Sequence, residues 1–433
     1  MAARAPVMPA PPVFTRRCVS PIVRRLKPPA AGGKSPPRRA SRPVPILLMT
    51  ILLSGLGFGL VLPSFLFFAG NLGASPAVAT TIIGLFSVGQ FLASPVWGRM
   101  SDRFGRKPML IFSLAGQTAS YVLLAFADSL WMLALARALN GLTAGNLPVA
   151  MAYVTDITPP EKRAGGLGLI GGAISLGFIV GPALGGILGG SDAETANLFW
   201  PAITASAICF LTCIAGIIFL RESLSPEQRE KAATARKTES QWAATRRVMR
   251  QPALAMMVLA GFMVYTAMAL FETIFPLWSG ARFGWGPREV GLIFTYLGLL
   301  VGLVQGVLVG RLVPRVGEGR LVTIGLISYC AGLLIMTQAP TWPVMMFGIT
   351  FTAGGGALFI TTMSALVTHQ AHADERGLVL GVYQSGSWMG RSIGPPISGL
   401  LFAGFGANSP LFTAAIVILP ALALVALIRK RGH

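Results

Sequence analysis

The chain has 433 residues, of which 53% are hydrophobic and only 12% are charged. Soluble domains carry roughly twice that share of charge, so the composition excludes an ordinary soluble protein and predicts one that crosses a membrane many times. The formal net charge of +20 is also a feature of nucleic-acid-binding proteins, and the position of the charges along the chain decides between the two.

Residues 1–42 carry ten basic side chains, many prolines and no acidic residue. Such a composition cannot bury a hydrophobic core, so we predict a disordered basic tail over 1–42. Three interpretations of the tail stay open: an organellar transit peptide, a basic arm on an anionic leaflet, or an over-extended start site.

Apolar stretches fill most of the remaining sequence, and each is long enough to cross a bilayer as a helix. The twelve spans lie at about 43–68, 78–97, 109–127, 130–154, 165–188, 200–220, 253–278, 290–309, 321–338, 343–367, 377–402 and 411–428. Lysine and arginine collect in alternate connections, whereas the other connections hold only Arg282 and Arg288. By the positive-inside rule both termini are cytoplasmic, and we expect a multi-pass protein of a bacterial inner membrane. Topology explains the basic charge, so no nucleic-acid partner is expected.

A short charged loop, G-R-M-S-D-R-F-G-R-K at 98–107, separates the second and third spans. Gly98 and Gly105 allow a tight turn at the membrane surface, and Asp102 is one of only 15 acidic residues in the chain. The pattern resembles the loop between helices 2 and 3 of the major facilitator superfamily of secondary transporters. The resemblance implies that this loop, with Arg103 and Arg106, belongs to a conformational gate.

The fourth span contains Arg137, followed by Asn140 and Gly141. This is similar to the Arg-x-x-Gln-Gly motif of the same family, with Asn in place of Gln. An arginine in hydrocarbon is costly unless it faces water or a partner, so we expect Arg137 to point into a cavity. The alternative is that its side chain reaches the membrane surface near Trp131.

The fifth span contains G-x-x-x-G-P-x-x-G-G, formed by Gly177, Gly181, Pro182, Gly185 and Gly186. The motif resembles the one that marks drug/proton antiporters of the twelve-helix kind. Glycines let a neighbouring helix approach closely, and a proline removes a backbone hydrogen bond. We therefore expect a kink where the two halves of the protein meet.

The second half of the chain repeats the first at an offset of 212 or 213 residues. Matching pairs are Gly98 with Gly310, Arg103 with Arg315, Gly181 with Gly394, and Pro182 with Pro395. A constant offset indicates a duplicated six-helix unit. The predicted fold class is an all-α polytopic membrane protein, with about twelve transmembrane helices in two pseudo-symmetric six-helix bundles. The bundles cover 43–220 and 253–428, with a cytoplasmic linker at 221–252 and a cytoplasmic tail at 429–433.

Two mismatches in the repeat concern charged residues. Asp102 corresponds to Pro314, and Arg391 in the eleventh span corresponds to Phe178. We hypothesise a latch between the halves involving Asp102 and Arg391, with Asp102 at the start of the eleventh span. A carboxylate there is favoured by the helix dipole, which would stabilise the state closed to the cytoplasm.

Glu272 in the seventh span is the one acid that we place inside a predicted span. An ionisable residue there is a functional hypothesis by default, because it can bind and release a proton within the membrane. Glu272 is thus the candidate for proton coupling. The alternatives are a pair with Arg282 or a position in water, while Arg391 pairs with an acid, binds helix carbonyls or contacts substrate.

The resemblance implies a central cavity lined by helices 1, 4, 7 and 10. Its candidate residues are Arg137, Asn140 and Asn146 on one wall, Met263, Tyr265 and Glu272 on the other, and Phe347 and Phe351 as added apolar surface. A large cavity with few charges suits a small lipophilic or weakly cationic substrate.

The predicted function is secondary active transport by alternating access, with proton-coupled efflux as the preferred mechanism. The sequence resembles multidrug and tetracycline efflux proteins over about 45–428, although many of these carry Asp where this chain has Ser54. The alternatives are proton-independent uptake or facilitated diffusion of a metabolite, and a non-transporting membrane sensor or assembly factor. We expect a monomer, with no enzyme activity, cofactor or metal.

Overall fold

A computed structural model of the chain describes residues 43–159, 162–224, 227, 241–371 and 375–431. The predicted disordered tail over 1–42 lies outside these residues, as do 225–226 and 228–240 of the predicted linker. In the described ranges, every regular element is helical.

The described residues of the first half form seven α-helices. They are α1 (Pro43–Asn71), α2 (Pro76–Phe104), α3 (Arg106–Ala125), α4 (Leu130–Thr143), α5 (Asn146–Ile157), α6 (Arg163–Gly189) and α7 (Phe199–Phe219). A short helix, α8 (Gln241–Met249), precedes the second half. The second half contains α9 (Pro252–Phe283), α10 (Pro287–Leu303), α11 (Val309–Val316), α12 (Glu318–Gln338), α13 (Trp342–Gln370), α14 (Arg376–Phe405) and α15 (Ser409–Arg431). A π-helical turn, Val304–Leu308, joins α10 and α11 into one span.

Ten helical stretches in the described ranges are long and apolar enough to cross a membrane. Two of the twelve predicted spans, the eleventh and the fourth, are not among these ten. The eleventh is a single helix of 30 residues, α14, with polar side chains and Arg391 along its length. The fourth is divided into α4 and α5, whereas the sequence predicts one uninterrupted span.

The break between α4 and α5 is stabilised by side chains from neighbouring helices. The indole Nε1 of Trp97 donates a hydrogen bond to the carbonyl oxygen of Leu142 at 2.7 Å. Ser113 Oγ donates to the carbonyl oxygen of Thr143, also at 2.7 Å. A helix can break inside a membrane only where its freed backbone groups find new partners, and these two bonds supply them.

Glycines of the fifth span pack α6 against α1 within the first half. A Cβ atom at Gly177 would lie 2.6 Å from the carbonyl oxygen of Leu52, and one at Gly181 would lie 2.7 Å from that of Leu56. A Cβ at Gly185 would overlap the carbonyl of Leu60. Only glycine permits this backbone approach, which is the packing that small residues allow between membrane helices.

The two halves touch through two equivalent seams. In the first, α6 packs on α10, where a Cβ at Gly186 would lie 3.0 Å from Gly291 Cα and Thr295 Oγ1 donates to the Ile179 carbonyl oxygen at 3.0 Å. In the second, α2 packs on α14, where a Cβ at Gly84 would lie 3.1 Å from Pro395 Cβ. The expected contact between the halves at the glycine motif is thus made by Gly186, while its other glycines pack inside the first half.

The seams open toward one end of the molecule. We call the end with the α2–α3 turn (104–107) the basic end, and the other the opposite end. The same helix faces continue toward the basic end through glycines at which an added Cβ would meet no atom within 4 Å in the described structure. These are Gly98, Gly168, Gly171, Gly172, Gly306, Gly310, Gly377 and Gly381. The halves are therefore in contact near the opposite end and apart near the basic end.

Candidate functional site

The centre of the site is an ion pair between α9 and α14. Arg391 Nη1 lies 2.9 Å from Glu272 Oε2, and Arg391 Nη2 lies 3.3 Å from Glu272 Oε1. Two parallel bonds of this kind combine charge with a fixed orientation. The Arg391 and Glu272 side chains are 31% and 35% exposed, so a small molecule can reach both groups.

The predicted alternative partner of Glu272, Arg282, is engaged elsewhere. Its Nε and Nη2 atoms both donate to the carbonyl oxygen of Ala339, at 3.3 and 3.0 Å. The structure instead joins the two charges that the sequence left unpaired within their spans, Glu272 and Arg391.

Tyr265 completes the immediate surroundings of the pair. The guanidinium carbon of Arg391 lies 5.7 Å from the centre of the Tyr265 ring, within the range of a cation–π contact. Tyr265 precedes Glu272 by two helical turns and so shares its face of α9. Met263 lies on the other side of the helix, where it packs on the core of the second half.

A small cavity adjoins Glu272 inside the second half. It lies between α9, α10, α12 and α13, and its volume is about 50 Å³. Met268, Leu297, Val301 and Tyr329 form part of its wall. Sequence reasoning missed this cavity, although the run of glycines at 354–356 in α13 was a signal that space is kept beside that helix.

Arg137 occupies neither of the two positions predicted for it. Its side chain is only 2% exposed, and its guanidinium carbon lies 5.2 to 5.8 Å from the ring centres of Phe58, Phe65 and Phe86. No described residue forms a hydrogen bond with its Nε. The expectation that Arg137 points into an open cavity is thus corrected: aromatic rings from α1 and α2 enclose it.

The two asparagines predicted to line the cavity are buried in the first half with other partners. Asn140 Nδ2 donates to Ser120 Oγ of α3 at 2.9 Å. Asn146 Oδ1 accepts a hydrogen bond from the backbone of Leu147 at 3.0 Å, at the start of α5. Both side chains therefore support the fold around the fourth span.

Phe347 and Phe351 lie apart from the Glu272 cavity. Their rings stack on each other with centres 4.9 Å apart, and the residues are 58% and 37% exposed. The cavity wall on α13 is formed by residues such as Ala353 and Ala357, which project from the other side of the helix. The small cavity thus does not include the two phenylalanines, and their contribution to the central substrate cavity stays a prediction.

The charged residues of the α2–α3 turn form a network at the basic end. Arg106 bridges Asp102 at 2.6 Å and Asp156 of α5 at 3.0 Å. The carboxylate of Glu222 accepts hydrogen bonds from the backbone N–H groups of Arg106 and Lys107, at 2.9 and 3.2 Å. A carboxylate at a helix N-terminus satisfies free donors and interacts favourably with the helix dipole, so Glu222 holds the end of the first half to α3.

The other gate residues lie in the same turn. Gly105 has a φ of +107°, a conformation that favours glycine, and the Arg103 guanidinium lies 5.3 Å from the Phe104 ring centre. Arg391 binds Glu272, so the structure does not show the hypothesised latch with Asp102. A role for Asp102 at the start of α14 concerns the state closed at the basic end and stays a prediction.

Within the described ranges, no group of three or more His, Cys, Asp or Glu side chains is placed to hold a metal ion. What the site offers chemically is one carboxylate, one guanidinium and nearby phenol groups in an apolar setting. Such a set can bind polar groups and exchange a proton.

Known proteins resemble this chain over most of its length. Multidrug resistance protein 2 of Bacillus subtilis (strain 168) is 28% identical over 389 residues, which cover 90% of this chain and 95% of that protein. The class H tetracycline resistance protein of Pasteurella multocida is 30% identical over 315 residues, covering 72% and 77% of the two chains. The crystal structure of the human organic anion transporter MFSD10 (TETRAN) has a TM-score of 0.66 at 25% identity, over 90% of this chain and 100% of that one.

The family model of the Major Facilitator Superfamily matches residues 47–307 and 257–433. The two overlapping matches together span nearly all of the chain after its basic tail. The protein is therefore a member of the Major Facilitator Superfamily of membrane transporters.

Proposed function

We propose that the protein is a secondary active transporter that exports a small lipophilic compound, driven by inward flow of protons. Family membership and the multidrug and tetracycline resistance proteins among its relatives support export of such compounds. The observation that carries proton coupling is the Glu272–Arg391 ion pair, because it places a titratable acid and its counter-charge on two helices within the membrane.

The basic end faces the cytoplasm in this proposal. The loops there carry nearly all the basic residues, including Arg103, Arg106, Arg311 and Arg315, as the positive-inside rule requires of a cytoplasmic face. Both termini are then cytoplasmic, in a bacterial inner membrane. With the seams open at the basic end, the structure corresponds to the inward-facing state.

Transport proceeds by rocking of the two halves, 43–220 and 253–428, around a site near the membrane midplane. Protonation of Glu272 removes the charge that holds Arg391, so the link between α9 and α14 weakens. A substrate that donates a hydrogen bond to the carboxylate competes with the proton for the same oxygen atoms. Substrate and proton therefore compete for the Glu272 carboxylate, and such competition is required for exchange of one for the other. A monomer suffices for this mechanism.

A drug-susceptibility panel with Glu272→Gln, at two external pH values, tests this proposal. We expect the variant to lose resistance at both values, because glutamine cannot exchange a proton, whereas the wild type responds to the pH gradient. Glu194→Gln, which changes an exposed acid outside the spans, is the matched control and should behave as the wild type. Resistance in Glu272→Gln that equals the wild type at both pH values would contradict proton coupling through Glu272.

Transport of an organic anion is the second candidate. Within the spans predicted from the sequence, Arg137 and Arg391 outnumber the single acid Glu272. The resulting positive potential attracts a negatively charged ligand, although of the two arginines only Arg391 is exposed to contact it. MFSD10, whose fold this chain shares, is itself an organic anion transporter. Counterflow in vesicles with a lipophilic carboxylate and its amide separates the two: faster exchange of the carboxylate favours the anion, and faster exchange of the amide favours the uncharged compound.

A further inference from the structure

Arg391 has one acidic partner among the described residues, Glu272. Protonation of Glu272 during the proposed transport cycle therefore leaves the guanidinium without a counter-charge. In this state of the protein water can still reach Arg391, because its side chain is 31% exposed. When the halves close around the site that water is displaced, and an unpaired cation inside the membrane is costly. Arg391 then needs a second partner that does not depend on the acid.

Arg137 shows what such a partner can be in this chain. Its guanidinium carbon lies 5.2 to 5.8 Å from three phenylalanine ring centres, and no described acidic side chain forms an ion pair with it. The negative face of an aromatic ring attracts a cation, and the ring carries no ionised group that a proton could neutralise. An aromatic ring therefore keeps its attraction for arginine when a neighbouring acid is protonated.

Tyr265 places one such ring against Arg391. The guanidinium carbon lies 5.7 Å from the centre of the ring, within the distance of about 6 Å at which a cation and a ring attract each other. Tyr265 and Glu272 are two turns apart on one face of α9, so a single guanidinium contacts both. Arg391 thus has an acidic partner and an aromatic partner on the same helix.

The other titratable groups around the ion pair do not offer this alternative. Tyr329 of α12 lines the cavity beside Glu272, and Tyr383 of α14 lies near Tyr265, but phenols are uncharged near neutral pH. Among the rings of the described residues, only that of Tyr265 lies within cation–π distance of Arg391.

We propose that Tyr265 is a positioning residue for proton coupling, whose ring holds Arg391 in place while Glu272 carries the proton. The inference rests on the proposed transport function and concerns the part of the cycle in which the protein returns without substrate. In that part the ring keeps the guanidinium beside the protonated carboxyl group until the proton leaves to the cytoplasm. With substrate bound, Glu272 is ionised and holds Arg391 itself.

Melting temperatures of the purified full-length protein in detergent test this contact without any substrate. Tyr265→Leu, which removes the ring, is combined with Glu272→Gln, which represents the protonated carboxyl group. We expect Tyr265→Leu to lower the melting temperature by at least about 2 °C more in the Glu272→Gln background than in the wild-type background. The reason is that the ring is then the remaining partner of Arg391. Tyr265→Phe, which keeps a ring, should show no such difference.

Phe283→Leu is the matched control, because Phe283 lies on the same helix and its ring contacts Trp278 and Trp285 instead, with centres 5.8 and 5.3 Å apart. Its effect on the melting temperature should be the same in both backgrounds.

Phenylalanines with increasing numbers of fluorine atoms at position 265 provide a second measurement. They nearly keep the shape of the ring but weaken its negative face, which is the part that attracts the cation. The additional loss of melting temperature in the Glu272→Gln background should grow with the number of fluorine atoms. Equal effects of Tyr265→Leu in the two backgrounds, or no dependence on fluorine, would overturn the assignment.

The drug-susceptibility panel distinguishes failure of this inference from failure of the proposed function. Tyr265→Phe should keep the wild-type resistance at both pH values, whereas Tyr265→Leu should lose most of it. Resistance by the wild type that responds to pH, together with unchanged resistance in Tyr265→Leu, would reject the role of Tyr265 and retain proton-driven export. Coupled melting temperatures without resistance in the wild type would leave the ring contact in place but reject both its role in coupling and the export.

Discussion

At the scale of single residues, Arg137 shows how a charge is tolerated inside a membrane without an acid. Three phenylalanine rings surround its guanidinium at 5.2 to 5.8 Å, and the negative faces of aromatic rings attract a cation. The sequence predicted an arginine inside a span that points into a cavity. It did not predict the enclosure, because Phe58, Phe65 and Phe86 come from two other helices and are indistinguishable in sequence from lipid-facing residues.

The aromatic enclosure gives a prediction for Phe65, which is fully buried. Phe65→Leu keeps the position apolar but removes one ring face, and we expect it to lower the free energy of unfolding by about 1 to 2 kcal/mol. Thermal unfolding in detergent measures the effect. Phe210→Leu, at an exposed position on α7, is the control. Equal melting temperatures for the two variants would show that the ring contact does not stabilise Arg137.

At the scale of helices, the sequence predicted a contact between the halves at the glycine motif but not where individual spans are interrupted. Pro182 and Pro395 mark equivalent positions, and each lies at a contact between the halves. The break after α4 was missed, since it depends on Trp97 and Ser113, which bind the freed carbonyls from α2 and α3. The π turn over 304–308 was missed too, because its sequence is as apolar as the helix around it.

The close packing of α1 on α6 inside the first half gives a prediction at this scale. Gly185→Ala would place a methyl group against the Leu60 carbonyl, and overpacking of this kind costs about 1 to 3 kcal/mol. We expect a lower melting temperature and less folded protein on size-exclusion chromatography. Gly171→Ala, on the same helix with no atom within 4 Å of the added Cβ, should be neutral or stabilising by up to about 1 kcal/mol. A lower melting temperature for Gly171→Ala than for Gly185→Ala would contradict this account of the α1–α6 contact.

At the scale of the whole molecule, the glycines along the seams support the alternating access proposed above. The same faces of α2, α6, α14 and the span formed by α10 and α11 carry glycines along their length, but only those near the opposite end are covered. Glycine destabilises a helix, because it loses more conformational freedom on folding than any other residue. Where no neighbouring helix packs against these glycines, no packing energy offsets that loss. The simplest physical reason for the uncovered glycines is that the faces meet in the state closed at the basic end.

We therefore expect large side chains at the seam glycines of the basic end to block the proposed transport cycle without destabilising the fold. In the structure a side chain at Gly168 or Gly381 meets no atom within 4 Å of its Cβ, so Gly168→Trp and Gly381→Trp should fold and melt as the wild type does. Each tryptophan would prevent α6 or α14 from closing on the other half, and we expect counterflow to fall more than tenfold.

Leu169→Trp is the control, because Leu169 neighbours Gly168 on α6, is 54% exposed and projects about 100° around the helix from Gly168. It should keep counterflow near the wild-type rate. Maleimide labelling of Gly168→Cys should likewise be fast in this state, and slower when a substrate or a pH gradient favours closure of the basic end. Normal flux in both seam variants would mean that these faces never meet, and the halves would then have to exchange access by another motion.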